Sequence, residues 1–299
     1  MQKFSMPSRR SLCHTWRCLL LACMLALLGC SSLRLSYNHG DTLLYWWIDG
    51  YVDLDAEQKP WVKKDIDELF HWHRKTQLHD YTQLLQTVQR QLQGNPSAAD
   101  LAADYDQVRA RTQLLLFKAL PELADLARLL KPEQIAQMEK KFAANNAEFR
   151  KKNMKGDKEA QQKFRYNKSM EQFELWFGNF SSEQEAAIRK ASDARPLDNE
   201  FWLEERMRRQ RNITNLVKKV QSEKLSKDAT MALLHGLVKD SFDGPPQAER
   251  RQFVDSDTAA TVELVLTVIR VATPAQKAHA QKRMQGWIDD FNALALEPR

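Results

Sequence analysis

The chain has 299 residues, 45 Lys and Arg against 39 Asp and Glu, and a formal net charge of +6. Four of the cations and no acid fall in the first 29 residues, so the remainder holds 41 cations against 39 acids, an excess of only +2. A basic balance carried by a leader gives no ground for a nucleic-acid partner. All four cysteines, Cys13, Cys18, Cys23 and Cys30, lie at or before position 30, so the rest has no thiol for a disulfide, a thiolate metal site or a nucleophile.

The first segment reads as a targeting leader. Lys3, Arg9, Arg10 and Arg17 precede an unbroken apolar run from Cys18 to Leu28. That run is too short to span a bilayer as a helix, which needs about 20 residues, but it suits a cleaved signal. It ends in Leu27-Leu28-Gly29-Cys30, a small residue before a cysteine. The pattern resembles the lipobox of bacterial lipoproteins. The resemblance implies cleavage before Cys30, acylation of its thiol and new amino group, and sorting to the outer membrane, because Ser31 and not Asp follows. Two or more acyl chains hold a protein stably where one does not. The expected organisation is a signal peptide over 1–29, a lipidated tether over 30–40, an N-terminal helical part over 41–155 and a C-terminal one over 156–299, with one continuous domain over the last two as the alternative.

From Asp41 the apolar spacing predicts helices. Asp41 to Val52 places Leu43, Leu44, Trp47, Ile48 and Tyr51 on one face, with Trp46 on its flank. This stripe reads as core, with the bilayer interface as the alternative. A helix then runs from Trp61 to Gln93, stopped by Gly94-Asn95-Pro96. Further helices are predicted over Ala98 to Ala119, with a kink or restart at Pro121, Pro132 to Met154, Asp157 to Phe177, Ser182 to Ala194, Asn199 to Lys224, Asp228 to Phe242, Ala248 to Ala272 and Ala275 to Leu296. Val262 to Val271 is β-branched enough to pass for a strand, but no partner strand or hairpin turn accompanies it. The fold expected is all-α: an irregular array of antiparallel helical hairpins, or a bundle, behind the lipoprotein signal.

One element recurs at the helix starts. Asp55-Ala-Glu-Gln58, Ser181-Ser-Glu-Gln184 and Thr273-Pro-Ala-Gln276 each set a capping residue three places before a glutamine, the capping-box spacing. Lys131-Pro-Glu-Gln134 keeps the frame with a lysine at the cap, while Ser97 and Ser226 begin degenerate copies. An apolar residue precedes several of these: Leu54, Leu130, Phe180 and Leu225. Repetition at 34 to 50 residues suggests serial helical hairpins, too irregular for a strict solenoid.

Two resemblances follow. Tyr37 to Leu85, with YWWIDGYVDLDAEQ and WHRKTQLHDYTQLL, resembles an uncharacterised family of proteobacterial lipoproteins, which implies an address and a fold but no activity. The repeated caps resemble the LTxxQ motif of the Spy and CpxP periplasmic proteins, which implies a chaperone-like binder. The Thr position departs in most copies, and a shared way of starting a helix explains the motif without kinship.

Chemical sites are sparse. His71, His73 and His79 cluster, but residues two apart on a helix point about 200° apart and cannot share a metal. No metal and no cofactor is expected. No nucleophile elbow, phosphate loop or HExxH stands in the chain, so enzymatic activity is not expected. Two basic stretches remain, Arg150 to Lys168 and Arg206 to Lys219. They read as solvated faces; the functional alternative is that Arg206, Arg208, Arg209 and Arg211 touch phospholipid head groups or an acidic envelope protein. The function expected is a non-enzymatic interaction or structural lipoprotein at the periplasmic side of the outer membrane, with binding of unfolded clients as the alternative.

Overall fold

The computed structural model describes residues 32–297, which form thirteen helices and, among the described residues, no strand. A short helix α1 (Ser32–Asn38) belongs with the N-terminal segment, and Asp41–Arg299 is a separate compact unit. That unit holds α2 (Gly40–Val52), α3 (Gln58–Thr76), α4 (Leu78–Gln93), α5 (Ala98–Lys118), α6 (Leu120–Leu129) and α7 (Pro132–Asn153). It continues through α8 (Lys158–Phe177), α9 (Ser182–Asp193), α10 (Asn199–Glu223), α11 (Lys227–Asp243), α12 (Ala248–Val271) and α13 (Pro274–Leu296). The β-branched run 262–271 is helical and carries Leu264, Val268 and Ile269 into the core.

Most helix ends have local causes. Ser97, Asp157, Ser181, Asp198, Ser226 and Thr273 each accept a backbone N–H of the first turn. Gly156 stands at φ 78° after α7, and a Cβ there would come within 2.8 Å of the Ala160 Cβ. A side chain is excluded twice at that corner, by conformation and by space. The helix predicted over Trp61–Gln93 is two helices, broken at Gln77. The Thr76 hydroxyl donates to the Trp72 carbonyl at 2.8 Å, a back-bond that competes with the backbone ladder and bends helices. Leu78 is buried directly at the break.

The unit consists of two sets of six helices, α2–α7 and α8–α13, whose packing follows one scheme. The second helix of each set packs on the fifth, α3 on α6 and α9 on α12. The third helix of each set packs on the last helix of the other, α4 along α13 and α10 along α7. The fourth helix of each touches the fifth of the other, α5 with α12 and α11 with α6. Three capped starts fall in each set, at 55, 97 and 131 and at 181, 226 and 273. The two halves are therefore interleaved, and neither keeps its third helix to itself.

The core follows this division. One cluster joins Tyr45, Val52, Leu54, Ile66, Leu130, Ile135, Met138 and Val217, drawn from α2, α3, α7, α10 and the corners between helices. A second joins Met170, Phe180, Ile188, Leu264 and Val268 from α8, α9 and α12 with the α8–α9 corner. A third, Leu92, Ile269 and Ala280, lies where α4 crosses α12 and α13. The aromatic stripe of α2 does not lie wholly in the core. Leu44, Ile48 and Tyr51 pack inward beside buried Tyr45 and Val52, whereas Leu43, Trp46 and Trp47 are exposed. No single described helix is long and apolar enough to cross a membrane; α12 and α13 reach that composition only together, bent by 117°.

Interleaving predicts one cooperative transition for residues 41–299. Ile188→Ala, at a site with no exposed surface, should cost about 2–5 kcal/mol. Urea unfolding followed by far-ultraviolet circular dichroism and by tryptophan fluorescence should give coincident curves, both shifted to a lower midpoint in the variant. Separate transitions would show that the halves fold independently.

Candidate functional site

Cys30 and Ser31 lie outside the described residues. The capping glutamines lie inside, and they do more than start helices. At the α3 start Gln58 N donates to Asp55 Oδ1 at 2.8 Å and Asp55 N donates to Gln58 Oε1 at 3.0 Å. Lys59 N also donates to Asp55 O, so the first turn begins at Asp55. Regular helix is delayed to Gln58 because Pro60 has no N–H to donate to the Ala56 carbonyl. Ser181 with Gln184 and Thr273 with Gln276 form the same reciprocal box.

Each glutamine then reaches across to another helix start. Gln58 Nε2 donates to Gln134 Oε1 at 3.1 Å, and Gln134 Nε2 donates back to Gln58 Oε1 at 2.7 Å. Gln58 Nε2 also meets the Leu129 carbonyl, and Gln134 Nε2 the Asp53 carbonyl, at 3.1 and 3.0 Å. In the second half Gln184 and Gln276 repeat this arrangement at 2.8 and 3.2 Å, with Gln184 donating to Val271 O and Gln276 to Asn179 O. All four amides thus bond the carbonyl two residues before the partner's cap. The residue immediately before each cap, Leu54, Leu130, Phe180 or Ala272, is buried beneath.

The lysine at the fourth cap has a role in this arrangement. Lys131 has no side-chain acceptor to offer Gln134 N, which bonds the Lys131 carbonyl. Its ammonium instead meets Asp55 Oδ2 across the pair at 2.9 Å. That hydrogen bond, with those from the Gln58 and Glu57 backbone, holds the Asp55 carboxyl below the usual carboxylate range; Asp55 in turn holds the Lys131 ammonium above the usual lysine value. Asp53 adopts φ 51°, a left-handed conformation that aspartate tolerates better than most side chains, and its carbonyl accepts from Gln134.

The arginines of α10 do not form one open cationic face. Glu205 is buried, and its carboxylate binds Arg208 through Nε and Nη2 at 2.8 and 2.6 Å and Arg209 through Nε at 2.9 Å. The Arg208 hydrogen bond, ahead of that from Arg209, holds the Glu205 pKa down against its burial. Arg206 donates to Asn146 Oδ1 at 3.1 Å, and Asn146 exchanges bonds with Gln210, fastening α10 to α7. Arg206, Arg209 and Arg211 nevertheless keep exposed surface, and Arg208 is half-buried. In the other basic stretch Arg165 turns inward and donates to the Ser192, Arg195 and Pro196 carbonyls at the end of α9. These contacts tie individual cations into the fold, while Arg150, Lys151, Lys152, Lys218 and Lys219 remain exposed.

The three histidines diverge. His71 is exposed, His79 bonds the Gln83 amide, and His73 faces the Tyr81 ring at 5.5 Å between centroids. Burial pushes the His73 pKa down to about 4. Among the described residues no three His, Asp or Glu side chains gather as a metal site. Arg74 is 1 % exposed and ties the end of α3 to that of α13 through the Leu294 carbonyl and Glu297 Oε2. Its neighbours Trp72, His73 and Lys75 give no sign of these particular partners, more than 200 residues on.

Three measurements follow. Gln134→Glu keeps the acceptor of its own box but loses both donors and sets a carboxylate against Gln58 Oε1. It should cost about 2–4 kcal/mol, more than the roughly 1 kcal/mol expected of a cap such as Ser181→Ala. A double-mutant cycle of Gln58→Ala with Gln134→Ala should return a coupling of about 0.5–3 kcal/mol, whereas additivity would show that the amides act separately. Thirdly, His73 stays neutral in the fold while its unfolded form takes a proton below about 6.5. Stability should therefore fall as pH drops from about 6.5 to 4, by at most about 1.4 kcal/mol per pH unit, and His73→Phe should flatten that slope. Asp55, whose pKa is lowered, loses its contribution only below the ordinary aspartate range.

No curated protein and no solved structure matches the chain. Residues 50–236 match a family of unknown function, DUF6279, a segment that runs from the end of α2 into α11 and holds the first paired start entire. The match spans more than half of the sequence, and the chain belongs to that family.

Proposed function

We propose that this protein is a lipid-anchored, non-enzymatic helical lipoprotein of the bacterial envelope, held on the periplasmic side of the outer membrane through Cys30. The single observation that carries the reading is the order of the leader: four cations without an acid, an eleven-residue apolar run and Gly29 before Cys30. The described residues agree with a binding or structural role. Their buried charged groups are spent inside the fold: Arg74 on Glu297 fastens α3 to the end of α13, and Glu205 is neutralised within α10 by Arg208 and Arg209.

A chaperone-like use of the repeated caps is the second reading. It would need the glutamines to face a client. Gln58 and Gln134 are each 4 % exposed and bonded to one another, which favours a structural role for the motif. Tyr105 and Val108, exposed one turn apart on α5, are the apolar surface there that a client would meet.

Radiolabelled palmitate tests the anchor. The wild-type chain should incorporate label and lose its leader; Cys30→Ala should do neither. Equal labelling of the two would overturn the lipoprotein reading. For the second reading, Gln276→Ala should lower the urea midpoint. An unchanged midpoint together with lost capture of an unfolded client would put the chaperone-like role first.

A further inference from the structure

The outward face of α2 is unusual for a surface helix. Leu43, Trp46 and Trp47 are 53, 62 and 60 % exposed, and Gly50 continues the same face one turn on. From Thr42 to Ile48 the helix has no charged residue. Its inward face is already satisfied by Tyr45, Ile48 and Val52 in the core. Isolated exposed apolar side chains are ordinary, but two adjacent tryptophans and a leucine on two turns form a patch.

We propose that this face of α2 seats in the head-group region of the bilayer, as a second contact beside the acyl chains on Cys30. The inference rests on the lipoprotein reading for its source of membrane. Three observations choose the bilayer as occupant. The patch begins 13 residues after Cys30, a span of at most about 45 Å fully extended, so an acylated Cys30 keeps it within reach of the lipid. The residues between, Ser31 to Thr42, contain Arg34 against Asp41, so the connection carries no net negative charge to repel an anionic surface. Lys141 lies 6.0 Å from the Tyr51 ring, and that ring packs against Trp47 at 4.8 Å between centroids, placing a cation beside the patch. Tryptophan bordered by lysine is the composition favoured at a membrane–water boundary, where the indole body is buried and its N–H stays wet. A second copy of the chain fits less well. Three side chains and a glycine fall short of the roughly 800 Å² per partner of a standard interface.

Site-directed nitroxide labelling tests this on the full chain. Leu43→Cys and Gly50→Cys both lie on the face, and a side chain at Gly50 meets nothing within 4 Å, so both tryptophans stay in place in either variant. Lys190→Cys, on the exposed side of α9, is the aqueous reference. The purified proteins are reconstituted into vesicles of phosphatidylethanolamine and phosphatidylglycerol. Relaxation by oxygen is compared with relaxation by a water-soluble nickel chelate. At positions 43 and 50 the ratio of oxygen to nickel accessibility should exceed that at 190 by at least threefold. Equal ratios at all three would overturn the proposal, as would spin–spin broadening at 43 or 50 from a second copy. The intact mass of the same sample reports acylation separately. Acylated protein with aqueous labels fails this inference alone, whereas unacylated protein fails the anchor whatever the labels report.

Discussion

The reciprocal glutamine pair is the contact on which the arrangement of helices depends. A primary amide is the one neutral side-chain group that presents two donors and an acceptor with two lone pairs. Gln58 uses all of these. Its oxygen accepts its own cap N–H and the partner amide, and its nitrogen donates to the partner oxygen and to a carbonyl at the partner's corner. A buried polar network is stabilising only when every member is satisfied, and this one closes on itself. Because each bond to the partner reaches the backbone around the other cap, the pair fixes where two helices begin relative to each other.

That constraint operates twice, and between its two occurrences the chain is interleaved. Gln58 with Gln134 fastens the α2–α3 corner to the α6–α7 corner; Gln184 with Gln276 fastens the α8–α9 corner to the α12–α13 corner. Each pair closes a loop of four helices, and the second helix of that loop projects onto the last helix of the other half. The locks therefore hold the ends of each half while α4 on α13 and α10 on α7 join them. Other buried polar contacts support the same joints. Arg74 meets the chain end beside the α4–α13 contact, and Asn146 with Gln210 bridges α7 to α10.

Much of this was legible in sequence, for local reasons. Helix starts are written within four residues, so Ser181-x-x-Gln184 and Thr273-x-x-Gln276 could be read and placed. All-α architecture followed from apolar periodicity and the absence of hairpin turns. What failed was nonlocal or lay just outside a window. Nothing near Gln58 announces Gln134, 76 residues on. The basic run from Arg206 seemed unopposed because the acid that neutralises two of its members, Glu205, stands one residue before it. The helix break at Gln77 needed the Thr76 hydroxyl to be seen turning back onto Trp72. On α2 a run of adjacent apolar residues covers both sides of the helix, so a core stripe and an exposed stripe coexist, and periodicity alone assigns them together.

The choice of glutamine over glutamate separates the two meanings of the repeated motif. A capping box alone is served equally by either, since only the side-chain acceptor is used. All four paired positions carry glutamine, at 58, 134, 184 and 276, where the second function requires a donor. Glutamate at both members would place two carboxylates in contact in a site that excludes water at Gln58 and Gln134. By contrast, among the described residues, the degenerate starts at Ser97 and Ser226 pair with no other start, and there the third position is Asp100 or Ala229, a residue unable to donate. The residue type therefore follows the pairing and not the cap. The recurring glutamines are explained by the need to join helix ends across the fold, without calling on a client or a substrate.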